Sequence, residues 1–120
     1  MPVCSDTTWL PVGDETLLTV TITVDYQQAK TIMMRLGSTI ISPPNNTYSN
    51  VPIQAPYGET LRNKILNCRI LVQDIQIGTN KTAVDIILRM GGKTIPFRYA
   101  MEALTNGMVD YDITFFLVHS

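Results

Sequence analysis

Residues 68–90 read Cys68-Arg-Ile-Leu-Val-Gln-Asp-Ile-Gln-Ile77, then Gly78-Thr-Asn-Lys81, then Thr82-Ala-Val-Asp-Ile-Ile-Leu-Arg-Met90. Two runs rich in β-branched residues flank a turn-forming tetrad, which predicts a β-hairpin. Both arms are apolar on more than one face, so they belong in the middle of a sheet. With a four-residue loop at 78–81, Ile77 faces Thr82, Ile75 faces Val84 and Leu71 faces Leu88. The same register sets Asp74 opposite Asp85. Directly opposed carboxylates are unfavourable unless a cation, a shared proton or a base such as Arg89 compensates them. Asp74 and Asp85 are therefore the sequence's candidates for metal or acid–base chemistry, and a two-residue loop at Asn80 and Lys81 would separate them. In the first arm Cys68, Ile70 and Val72 point one way and Ile75 and Ile77 the other. That change of phase calls for cover on both faces or a bulge near Gln73 and Asp74.

Upstream, Leu18, Val20, Ile22 and Val24 alternate with Thr19, Thr21 and Thr23, the period of a half-buried strand. The period then changes. Asp25 with Gln28 resembles a capping box, and Ala29, Ile32, Met33 and Leu36 form one stripe before Gly37, so a helix is predicted over 26–36, with a strand over 31–36 as its alternative. A brief strand follows at 38–42. Residues 43–57 form a long Pro/Asn-rich loop in which Pro43, Pro44, Pro52 and Pro56 deny ladder hydrogen bonds. Tyr48, Ile53 and Tyr57 are the side chains there that can hold the loop against a partner. Residues 58–66 have the spacing of a short helical turn.

Downstream, Ile95, Phe97, Tyr99 and Met101 alternate with polar positions, and Pro96 restricts that strand to a sheet edge or a bulge. An open edge invites strand addition from a neighbour. A second short helix is predicted over 100–104 and a final strand over 111–118. Residues 1–16 read as an N-terminal arm with a short strand or no regular structure, anchored by burial of Trp9 in its own domain or in a neighbour's. The expected architecture is a single domain over 1–120. It is β-rich α+β, with five to seven largely antiparallel strands and one to three short helices, and an all-β sandwich is the alternative.

At 120 residues, 45 % apolar and 16 % charged, the chain has enough apolar sequence to build a core without disulfides or metal. The net charge of −1 excludes strong global steering toward nucleic acid or anionic membrane. All nine Lys and Arg residues lie within 26–98, between acidic ends, a pattern that fits complementary surfaces between protomers. The first residues lack a signal-peptide pattern and no apolar run reaches a membrane span, so a soluble cytoplasmic or virion protein with free Cys4 and Cys68 is expected.

His119 is the only histidine. A triad with Ser120, Ser5 or Asp112 is conceivable on residue type alone, but the terminal position argues against it. The single histidine and two unpaired cysteines lack zinc-ligand spacing. Gly92-Lys93-Thr94 ends like a phosphate loop, but Ile87 stands where the first glycine belongs and Pro96 where the helix should start. Phe97 and Tyr99 lie near Arg98 and Lys93, yet they share a face with Ile95 and Met101, which reads as core rather than a nucleic-acid platform. No cofactor is implied. The reading that remains is a non-enzymatic protein–protein interaction or assembly module, such as a virion or phage tail subunit that forms a homo-oligomer. Trp9, Tyr48, Ile53, Tyr57 and Pro96 are its candidate contacts. The alternatives are an inhibitor or immunity-type protein docking on one target, and a small ligand-binding or enzyme domain using the carboxylate pair.

Overall fold

The Thr-interleaved run forms β2 (Leu17–Val24), with Leu18, Val20 and Ile22 buried. The computed structural model describes residues 1–43 and 47–119. The other strands are β1 (Val3–Pro11), β3 (Ala29–Leu36), β4 (Thr39–Ile41), β5 (Val51–Gln54), β6 (Lys64–Gln73), β7 (Lys81–Met90), β8 (Lys93–Glu102) and β9 (Met108–Val118). They make a five-stranded sheet ordered β1-β9-β6-β3-β4 and a four-stranded sheet ordered β5-β2-β7-β8. Neighbours are antiparallel except β1 and β9, which run parallel. No helix occurs among the described residues, so the α+β expectation gives way to the all-β sandwich.

The inward faces share one core. Val109, Tyr111, Ile113, Phe115 and Leu117 of β9 and Leu66, Cys68, Ile70 and Val72 of β6 meet Leu18, Val20 and Ile22 of β2 and Val84, Ile86 and Leu88 of β7. Phe97 of β8 packs edge-on against Phe115, ring centroids 5.0 Å apart, joining the open edge of one sheet to the other. The buried Tyr111 hydroxyl lies 2.5 Å from Thr82 Oγ1, which donates to the Met101 carbonyl. This satisfies the polar groups inside the sandwich where they would otherwise be costly.

Residues 68–90 are two strands but not a hairpin. β6 pairs with β3 and β9, whereas β7 pairs with β2 and β8, and residues 74–80 cross from one sheet to the other. The change of phase after Val72 marks the end of β6 rather than a bulge, and Ile75 and Ile77 lie exposed in the crossover. A Gly-Thr-Asn-Lys turn suits a sandwich arch as well as a hairpin, and strand periodicity carries no information on which neighbour is taken. The predicted helix over 26–36 is the strand β3. Met34 and Leu36 point inward while Met33 and Arg35 are exposed, a period of two imposed by pairing with β6. Tertiary pairing overrides the local helix propensity here. Tyr26 and Gln27 have φ of 60° and 54°, a left-handed turn where the helix start was expected. The predicted turns of helix over 58–66 and 100–104 are likewise absent. Residues 58–63 are turns leading into β6, and β8 continues to Glu102.

Residues 1–16 contain a strand, the nine-residue edge strand β1, longer than the short one expected. Within 43–57, β5 pairs with the start of β2, and its proline, Pro52, sits in an edge strand. Residues 44–46 of that expected loop, and Ser120 of the conceivable triad, lie outside the described residues. Pro96 does lie in an edge strand, β8, as the sequence indicates. The acidic ends pair with the basic middle inside the chain. Asp14 meets Arg62, Asp25 meets Arg98 and Asp110 meets Arg69, so part of the charge pattern is paired within the chain.

Candidate interaction face

Trp9 sits on β1 with Leu10 beside it, and strand alternation lets only one of them enter the core. Leu10 is buried, and Trp9 lies on the outer face of the five-stranded sheet, 68 % exposed. It therefore does not anchor the N-terminal segment by burial within its own domain. Its ring leans on Phe116, centroids 5.1 Å apart at 30°. Phe116 is opposite Ile65 in the β6–β9 register, and Ile65 is itself 43 % exposed. An apolar row thus crosses three strands at one end of this face.

Next to that row the face is a fixed polar lattice. The Asn67 amide donates to Asp112 Oδ1 at 2.7 Å and to Thr114 Oγ1 at 3.0 Å. Arg69 clasps Asp110 with both arms, Nε to Oδ1 at 3.2 Å and Nη2 to Oδ2 at 2.8 Å. That bidentate bond holds the Arg69 guanidinium more firmly protonated than usual. On the opposite face of the molecule Arg98 donates to Asp85 at 2.6 Å and to Asp25 at 2.9 Å, and its hydrogen bond is the main reason that the Asp25 carboxyl lies below its ordinary range.

Asp74 and Asp85 are not partners across a hairpin. Asp85 faces Thr23 and Arg98 across its two ladders. Asp74, 2 % exposed, accepts from Gln28 Nε2 at 3.1 Å. Gln28 also donates to the Lys81 carbonyl and accepts from the amides of Ile75 and Gln76 at 2.8 and 3.2 Å. One buried amide therefore fixes both ends of the crossover, and residue type alone gives no signal for it. The described residues hold no group of three or more His, Cys, Asp or Glu placed to bind a metal. His119 lies just past β9, on the order of 20 Å along the strand from Asp112, so the two cannot form a catalytic pair.

The other sequence candidates separate. Ile53 is fully buried in the core and Tyr48 is a strap. The Tyr48 carbonyl accepts from the Ile22 amide at 2.8 Å and its hydroxyl donates to the Ile32 carbonyl at 3.0 Å, tying the two sheets together. Tyr57 is fully exposed in the β5–β6 connection. Pro96 is exposed on β8. Cys4 and Cys68 are free thiols, Cys68 buried and its pKa pushed up to about 12 by desolvation. No helix of the described residues is long and apolar enough to cross a membrane. Comparison with protein-family models, with curated proteins and with solved structures returns no match.

Proposed function

We propose that this chain is a non-enzymatic interaction and assembly module, of the class to which virion and phage tail subunits belong, and that it associates through the outer face of its five-stranded sheet. The row Trp9–Phe116–Ile65 carries this reading. A tryptophan 68 % exposed and held in place by a neighbouring ring is an anchor already ordered for contact. Covering its remaining surface, roughly 150 Å², contributes about 3–4 kcal/mol per copy before ordering costs. The polar lattice beside it offers partners that need little rearrangement.

The test is light scattering over a concentration series, comparing the wild type with Trp9→Ser and Ile65→Ser after circular dichroism has shown both variants folded. Association of the wild type, weakened at least tenfold by either substitution, supports the reading. A strict monomer, or association indifferent to both substitutions, refutes it.

A second reading is docking of one macromolecular target on the opposite end of the sandwich. Ile75, Ile77 and Leu104 are exposed there, the first two on the crossover that Gln28 holds in place. It predicts a one-to-one heterocomplex lost in Ile77→Ser and retained in Trp9→Ser.

A further inference from the structure

Each sheet has two edges, and three of the four carry a feature that hinders strand addition. β4 has three residues. β5 has four and contains Pro52, and β8 carries Pro96 as the fourth of its ten residues. Short length and proline both hinder edge-to-edge pairing. β1 differs: nine residues, no proline before Pro11 and no lysine or arginine.

The backbone of β1 shows which of its groups face outward. The Pro2 carbonyl accepts from the Asp110 amide and the Val12 amide donates to the Val118 carbonyl. The register between them, from Val3 with Asp110 to Pro11 with Val118, is unbroken. Even-numbered residues therefore spend their backbone groups on β9. The amides and carbonyls of Val3, Ser5, Thr7 and Trp9 turn toward the open edge.

Resting on the assembly reading above and adding to the outer-face contact a second one at the sheet edge, we infer that β1 pairs antiparallel with β1 of a second copy, in the register that sets Thr7 opposite its own counterpart. In that register Ser5 faces Trp9 and Val3 faces Pro11 of the second copy, so every outward amide meets a carbonyl. Pro11, the one residue without a donor, falls at the end of the ladder. Asp6, whose carboxylate already accepts from the Tyr99 hydroxyl at 2.8 Å, faces Thr8 of the second copy. Shifting the register so that Asp6 opposes Asp6 uses the same amides but sets like charges face to face, which is unfavourable. The chosen register also lays each Trp9 ring over Ser5 of the other copy. The two five-stranded sheets become one continuous sheet about a twofold axis.

The test is oxidative cross-linking in a Cys4→Ser background together with amide exchange on the wild type. A hydrogen-bonded antiparallel pair places Cα atoms about 5.5 Å apart, within disulfide reach. Thr7→Cys is therefore expected to give covalent dimer as the main product and Asp6→Cys at most a tenth as much. In the wild type, the amides of Val3, Ser5, Thr7 and Trp9 should slow at least tenfold between dilute and concentrated protein. The even-numbered amides should be protected at both. Cross-linking through Asp6→Cys instead overturns the register. Association without Thr7→Cys cross-linking and without odd-residue protection overturns the edge pairing while leaving the outer-face reading standing. A strict monomer overturns both.

Discussion

Gln28→Ala should damage this fold more than any other single polar substitution on its surface loops, because one side chain serves four partners. Its removal leaves the Asp74 carboxylate, the Lys81 carbonyl and the amides of Ile75 and Gln76 without their ligand at a nearly dry site. Unpaired buried polar groups cost about 1–3 kcal/mol each, and partial entry of water at the two half-buried amides reduces the sum to about 3 kcal/mol. With a urea slope of about 2 kcal/mol/M for a domain of this size, the unfolding midpoint should fall by about 1.5 M. Gln28→Glu separates the two halves of the interaction. It keeps an acceptor for the amides but replaces the donor to Asp74 with a second carboxylate. It should be destabilised at neutral pH and regain stability on mild acidification, when the pair can share a proton. Urea titrations at pH 7 and pH 5 measure both variants. A loss below 1 kcal/mol for Gln28→Ala, or a Gln28→Glu protein as stable as wild type at pH 7, refutes the role given to this residue.

Two further outcomes follow from the titrating groups. At pH 8 a thiol-reactive dye should label native protein slowly at Cys4 and not at Cys68, with both reacting after unfolding. Burial favours the neutral thiol, so this stability is fully present below the ordinary value of 9.0 and is lost as pH rises toward about 12. Rapid native labelling of two thiols contradicts the packing of β6. The Asp25–Arg98 hydrogen bond lowers the Asp25 pKa below its ordinary 3.8, so its small contribution is present above that pH and lost as acidification passes through the lowered folded value. The difference in urea midpoint between wild type and Asp25→Asn should narrow as pH falls below 3.8 and shrink in high salt, whereas a gap that widens on acidification contradicts the assignment.

Strand identity was readable wherever alternation was clean, as in β2 with its threonines and in β8 with Ile95, Phe97, Tyr99 and Met101 turned inward. Partner identity was not. The arms of residues 68–90 are both strands, but whether they pair with each other or with distant strands depends on contacts across the whole chain. Over 29–36 the stripe Ala29, Ile32, Met33 and Leu36 reads as a helix, whereas the strand alternation buries Met34 and Leu36 and exposes Met33, and only the β6 ladder decides between them. Burial of Trp9 in its own domain or a neighbour's is left open by residue type, whereas its parity relative to Leu10 turns it to the outer face of this chain. That parity was visible once residues 3–11 were taken as a strand. The Gln28 node joins residues nearly fifty positions apart through one amide, a relation that composition and spacing do not carry.

The central claim is that the Trp9 row is a contact surface, and Trp9, the only tryptophan, reports on it directly. Its emission and its accessibility to a neutral quencher can be followed from nanomolar to millimolar protein. The account predicts a solvent-exposed, readily quenched spectrum at low concentration, then a blue shift and at least a threefold loss of quenching as copies associate. A spectrum and quenching constant unchanged over the whole range would contradict it.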